Sequence, residues 1–484
     1  MSYLHLLQLA APEAILVLTA LILLGVGLTS LRPTSPLFCT VAAVGLVAAA
    51  VSLFFLPAHA NLSGGMLVIS PLNTLFQAIC LALAFLAVLL TESERSLPHR
   101  AEYLAVLLFA TVGLLLLVGS EEFLMIFIGL ELLGLSLYVL TGWEKSEPRA
   151  AEAGLKYFLF GSTASAFTLF GLSLIYGVTG STMLTGISAG LNAGAVEPIV
   201  LAGIVMTLVG FAFKIAAAPF HLWAPDAYEA APIPSAAFIA SGSKLASFVV
   251  LGKVLLVGFA PLAGSAAWHA MVAGWAPLVA VLAAFSILLG NLVALAQTNV
   301  RRLLAYSAVA HAGYTLLGLV AGGREGFTAT LFYTVIYALT LIGAFGVCGV
   351  VRHETGADDV RDFRGLRARS PMLAAAMAIF LLSLAGLPPL AGFFGKFYLF
   401  RAAFHAGTNN GLTWLVVLAL FGSLLSLYYY LVVLKAIFVD ETAETATAFH
   451  PEFLNQCVVG LLALLVLFFG LMPQTLVQSI TTAL

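Results

Sequence analysis

Charge is what this chain has least of. Asp, Glu, Lys and Arg make up 9% of its 484 residues, against roughly 25% in a soluble domain. Hydrophobic residues make up 62%, and the mean hydropathy is +1.09. That balance excludes a water-soluble globular protein and calls for a chain that crosses a bilayer many times. A net charge of -2 argues against a nucleic-acid partner. Cys39, Cys80, Cys348 and Cys457 are scattered and form no CxxC pair, which argues against iron–sulfur, zinc and structural-disulfide sites. There is no GxGxxG and no P-loop, so no nucleotide site is expected. The opening "MSYLHLLQLAAPE" holds no Lys or Arg. A signal peptide begins with a basic stretch, so the first apolar run is expected to be a retained span.

What the chain has instead is apolar runs of about 20 residues, the length that crosses a hydrocarbon core. Fourteen can be counted, the first at 12–31 and the last at 455–479, with short loops between them. The longest polar loop is 352–370. Helices are the expected form, because lipid leaves no partner for an open backbone group. The side reached after the first span, side A, collects thirteen basic residues: Arg32, Arg95, Arg100, Lys145, Arg149, Arg301, Arg302, Arg352, Arg361, Arg364, Arg367, Arg369 and Lys435. Side B has Arg324 and Arg401. The positive-inside rule makes side A cytoplasmic and puts both termini outside.

Five basic residues remain, Lys156, Lys214, Lys244, Lys253 and Lys396, and all are lysines inside apolar runs. Arg would stay charged there, whereas a desolvated lysine can exchange its proton. Lys156 and Lys253 lie near the ends of their spans, where snorkelling to the interface competes with function. Lys244 lies too deep to snorkel, among small residues that leave room for water. Glu131, in "FIGLELLGLSLY", is the acid placed clearly in mid-span. It has no partner in its own helix, and Lys214 is the candidate, as either a working pair or a structural one. His311 is a proton relay or a neutral hydrogen-bonding histidine.

Proline punctuates two of the runs. "KIAAAPF" sets Lys214 before Pro219 in the seventh, and "GLPPLAGFFGK" sets Lys396 after Pro388 and Pro389 in the twelfth. Proline removes a backbone donor and breaks a helix, which a membrane tolerates where the backbone lines a cavity or is buried in protein. The bland alternative is a kink that only shapes packing. The two runs are five spans apart, so units at 101–257 (spans four to eight) and 273–438 (spans nine to thirteen) would enter from opposite sides. The expected architecture is an all-α polytopic membrane protein of about fourteen helices. It holds two inverted five-helix repeats with helices 7 and 12 broken, an N-terminal segment 1–100 and a C-terminal segment 439–484.

"FKIAAAPFHLWAPDAYEAAPIPSAAFIASGSK", "RRLLAYSAVAHAGY" and "GLPPLAGFFGK" resemble the antiporter-like membrane subunits of respiratory complex I and of multisubunit cation/proton antiporters. The resemblance covers spans four to thirteen. It implies a proton-pumping module in which Glu131 pairs with Lys214, Lys244 is the central relay and Lys396 leads to the exit or the next subunit. His311 and Lys156 are further candidates. It also implies no cofactor in this chain. NADH, FMN, iron–sulfur clusters and quinone would belong to partner subunits of a membrane arm, in a bacterial inner membrane. The favoured branch stops soon after its fourteenth span, lacks a long C-terminal amphipathic helix and has lysine rather than glutamate in its twelfth helix. Alternatives are a sodium/proton antiporter subunit, a membrane-bound hydrogenase subunit and a scaffold that only holds its neighbours.

Overall fold

Residues 3–29, 35–62, 64–92, 94, 97–191, 197–406, 411–441, 449 and 452–484 are described by a computed structural model. Arg32 and Arg95, counted above for side A, lie outside them. The backbone satisfies itself in helices, as lipid demands. Among the described residues, twelve helices are long and apolar enough to cross a membrane: α1 (Ala11–Thr29), α2 (Leu37–Phe55), α3 (Pro71–Glu92), α4 (Arg100–Gly119), α5 (Phe123–Thr141), α6 (Pro148–Thr179), α8 (Ile233–Gly258), α9 (Trp275–Ala294), α10 (Val300–Ala321), α11 (Gly323–Thr355), α13 (Thr413–Phe438) and α14 (Phe453–Leu471). Two shorter apolar helices stand seventh and twelfth. Here α7 is Pro198–Lys214 followed by Trp223–Ala230, and α12 is Pro371–Ala385 followed by Ala391–His405. Twelve plus two gives the fourteen expected, and both breaks fall at the prolines.

Local chemistry sets several boundaries. The Glu122 carboxylate accepts from Met125 N at 2.7 Å and starts α5. Asn299 does the same for α10, accepting from Arg302 N at 3.0 Å. Both use a side-chain oxygen to satisfy an orphan amide of the first turn. Two short antiparallel hairpins sit at the side B end. β1 (Ala60–Leu62) pairs with β2 (Leu67–Ile69), and β3 (Ser265–Ala267) with β4 (Ala270–Val272).

Burial sorts the helices. The most apolar stretches of α8, α10 and α11 are each 94% buried, whereas those of α1 and α6 are 33% buried. The first three form the centre, and the latter two present apolar side chains such as Leu18, Leu21, Leu159 and Phe170 outward, as a lipid-facing helix must. Lys214, Lys244, Lys253 and Lys396 therefore have protein around them.

Candidate functional site

The α7 break sits just beyond Lys214, the last residue of the first helical piece. The freed backbone groups find partners. Ala218 N donates to Ser286 Oγ of α9 at 2.9 Å, and Trp223 Nε1 donates to Phe213 O at 3.0 Å. Ala216 takes φ +57°, a left-handed conformation rare outside glycine. The α12 break is closed the same way. Gly386 turns the chain at φ +86°, and Gly392 N donates to Ser383 Oγ at 3.1 Å.

Lys396 Nζ returns across this second break. It donates to Ala385 O at 3.0 Å and to Ser423 Oγ of α13 at 2.8 Å. Its Nζ also lies 4.9 Å from the centre of the Tyr314 ring, within cation–π range. A Cβ on Gly386 would come within 2.9 Å of Lys396 Cδ, so the glycine is required by both the turn and the lysine.

Lys244 opens the α-helical part of α8, directly after a π-helical turn at Ile239–Ser243. Its Nζ donates to Ala308 O of α10 at 2.9 Å and lies 6.0 Å from the Tyr228 ring and 5.6 Å from the Tyr337 ring. The Tyr337 ring in turn lies 5.2 Å from that of His311. His311 Nδ1 is 2.5 Å from Tyr333 Oη, and Nε2 is 3.1 Å from Tyr430 Oη. A neutral imidazole with both nitrogens so engaged donates from one and accepts at the other. Tyr430 packs edge-on against Tyr429, with centroids 4.5 Å apart. Tyr429 Oη donates to Asn291 Oδ1 at 3.0 Å, and Asn291 Nδ2 donates to Tyr314 Oη at 2.9 Å. The series ends at Lys396. Lys244, His311 and Lys396 are thus joined across the centre by side chains absent from the sequence reading: Tyr228, Tyr337, Tyr333, Tyr429, Tyr430, Asn291 and Tyr314. One signal was available, the run "LYYYL" at 427–431 in the middle of α13.

Glu131 and Lys214 stand apart from that series and share one cleft between α5, α6 and α7, lined also by Tyr138, Ser165 and Thr168. The Glu131 carboxylate accepts from Ser165 Oγ. No ion pair joins Glu131 to Lys214 among the described residues, so the two face each other across the cleft without direct contact.

Lys156 belongs to the side A surface. Its Nζ pairs with Glu152 at 2.7 Å and Asp226 at 2.8 Å. Arg302 bridges Asp226 and Glu229 at 2.7 and 2.9 Å. These residues line a vestibule of about 590 Å³, together with Glu144, Arg301, Arg352 and Asp358. Arg301 pairs with Asp358 and donates to Ala231 O at 3.0 Å. Burial pushes the Asp358 carboxyl up, against the hydrogen bond from Asn299 and the charge of Arg352. Burial and the neighbouring Glu94 raise that of Glu144.

Lys253 corrects an expectation. It does not snorkel. Its side chain is 6% exposed and turns inward, donating to Asn73 Oδ1 of α3 at 2.6 Å and to Val118 O of α4 at 2.7 Å. These acceptors come from helices far away in sequence, so end-of-span position alone misplaces it. Glu13 is buried, as are Glu122 and Asp358; its carboxylate accepts from Gln77 Nε2 at 3.2 Å.

Residues 120–426 match the family described as NADH:quinone oxidoreductase/Mrp antiporter, transmembrane. Over 491 aligned positions the chain is 45% identical to NADH-quinone oxidoreductase subunit N 2 of Acidobacterium capsulatum, covering 99% of each protein. It is 37% identical to subunit N of Rhodospirillum rubrum, covering 98% of this chain and 96% of that one. A chain of respiratory complex I from Thermus thermophilus superimposes with a TM-score of 0.80 at 34% identity, over 96% of this chain and 98% of that one. A chain of the Mrp complex from Dietzia sp. shares the fold, with a TM-score of 0.85 at 22% identity, over 99% of this chain and 97% of that one. With the broken helices and the central lysines in place, these likenesses settle the lineage: the chain belongs to the NADH:quinone oxidoreductase/Mrp antiporter membrane family and, within it, to the subunit N group of NADH–quinone oxidoreductase.

Proposed function

We propose that the chain is a proton-translocating subunit of the membrane arm of NADH–quinone oxidoreductase and holds no redox centre of its own. NADH, FMN, iron–sulfur clusters and quinone belong to partner subunits in this reading, and the chain alone is not catalytic. Quinone reduction elsewhere biases the charge state of Glu131 and Lys214. That bias drives a proton along Lys244 and His311 to Lys396. The vestibule around Lys156, with two carboxyls raised by burial, collects protons from the cytoplasm. Side A is cytoplasmic, both termini lie outside the bacterial inner membrane, and the units 101–257 and 273–438 are the two inverted halves of the pump.

One observation carries this reading. The hydroxyl, amide and imidazole groups from His311 to Lys396 are buried and linked by hydrogen bonds and ring contacts, and Lys244 adjoins them through the Tyr337 ring. A scaffold has no use for groups so costly to bury. The energies are of the right size: moving one charge against 100 mV costs about 2.3 kcal/mol, and one pKa unit of lysine desolvation is about 1.4 kcal/mol.

Gentle purification of a tagged chain tests the assignment. NADH-driven quinone reduction and iron–sulfur signals are expected to co-purify with it. Small hydrophobic partners without redox activity would instead make it an antiporter subunit, and hydrogen-evolving activity a hydrogenase subunit.

A further inference from the structure

At the end of its span Lys253 is divided between snorkelling and function, and the relay above does not use it. Its geometry is more specific than an anchor requires. The two lysines of α8 stand at the two ends of its second α-helical stretch, Lys244–Lys253, and each adjoins a π-helical turn, Ile239–Ser243 before and Val254–Gly258 after. Such turns are rare and concentrate at functional positions.

The donors of Lys253 are also telling. An ammonium has three hydrogens to give. Two find carbonyl oxygens, Asn73 Oδ1 at 2.6 Å and Val118 O at 2.7 Å. A third polar group near Nζ is the Glu121 carboxylate, whose Oε1 lies 4.0 Å away, a gap that one water spans. The Glu121 side chain is 39% exposed and sits at the side B end of the α4–α5 turn, its backbone N donating to Gly65 O at 3.0 Å. A neutral amine keeps two hydrogens, the number the two carbonyls take. The third is free to leave without breaking either bond.

We propose that Lys253 and Glu121 form a second proton-exchange site, which passes protons between the interior of α8 and the outer surface. The transfer breaks an N–H bond of the Lys253 ammonium and forms an O–H bond on the Glu121 carboxylate, through one water. Glu121 then releases the proton to the outer medium. Through water, the neutral amine regains a proton from the interior, where Lys244 stands nine residues earlier on the same helix, about 13.5 Å along its axis. This rests on the proton-translocating reading and on side B facing outward.

The test is made in the intact NADH–quinone oxidoreductase complex, reconstituted in vesicles, with Lys253→Arg, Lys253→Met, Glu121→Gln and, as reference, Lys244→Met. Protons moved per NADH oxidised are measured, with assembly checked on native gels. Arginine keeps the charge and the donors toward Asn73 and Val118 but does not release a proton. The expected result is that Lys253→Arg assembles and loses most of its pumping, as Lys253→Met does. Glu121→Gln, at an exposed position that tolerates change, is expected to slow pumping and alter its dependence on the outer pH. Wild-type pumping in Lys253→Arg would make the residue a fixed brace and overturn the proposal. If neither Lys253 variant assembles, a wild-type rate and pH profile in Glu121→Gln overturns it. Normal pumping in Lys244→Met sinks the underlying relay instead, so the two failures are distinguishable.

Discussion

Complex carrying Lys244→Met is expected to assemble, and its proton pumping to fall to background. Methionine fills the volume of the lysine stem without a titratable group. The structural loss is small, since Nζ makes a single hydrogen bond, 2.9 Å to Ala308 O, worth about 1 kcal/mol net in folded proteins. The functional loss is large. Lys244 sets its amine near the Tyr228 and Tyr337 rings, and Tyr337 leads on to His311. Without it the central series keeps its hydroxyls and imidazole but has no cation at its head. Lys244→Arg is expected to fail as well, since guanidinium holds its proton. Vesicle acidification per NADH oxidised, set beside native-gel assembly, reads both variants. An assembled Lys244→Met complex that pumps like wild type would remove this lysine from the path.

Gly392→Ala is the second substitution with a large expected effect, and it acts on the fold. The two pieces of α12 meet so closely that an added Cβ would lie 1.9 Å from Ser383 O and 2.7 Å from its carbonyl carbon. Those are backbone atoms, so no side chain can swing aside. Forcing a methyl into such a contact costs on the order of 3 kcal/mol or more. The break would have to open, and with it the cradle that Ala385 O and Ser423 supply to Lys396. Gly25→Ala in α1 is the control, because a Cβ there meets nothing within 4 Å and alanine is the better helix former by about 1 kcal/mol. Thermal melting of the purified complex should drop sharply for the first and hold or rise for the second. Equal melting of Gly392→Ala and wild type would mean that the halves of α12 do not meet as described.

The helices and their two interruptions were legible because their causes are local. A run of about 20 apolar residues leaves the backbone no choice in lipid, and proline within such a run removes a donor wherever it stands. Lys214, Lys244, His311 and Lys396 were legible for a related reason: a titratable group in an apolar run is conspicuous. Tyr314, Tyr333, Tyr337, Tyr429 and Tyr430 were not. Tyrosine is amphipathic and usual at membrane interfaces, so, the run "LYYYL" at 427–431 aside, its local context does not mark a phenol that turns inward to an imidazole or an amide. Asn291 was hidden likewise, since its value lies in reaching Tyr314 on α10 and Tyr429 on α13 at once. Lys253 failed for a third reason. Its depth was read correctly, but its direction depends on Asn73, 180 residues earlier in the chain.

The burial of α8 has a consequence for how the molecule is made. This helix carries two lysines and is enclosed by α3, α4, α7 and α11. Alone in a bilayer, a lysine at mid-helix costs about 2.5–3.5 kcal/mol on insertion scales. During synthesis α8 leaves the ribosome before α11 exists, so its lysines must wait for their final surroundings. The wall around α8 is complete only when α11 joins α3, α4 and α7. A truncation after α10 would therefore leave α8 in the membrane without the wall that makes it stable there.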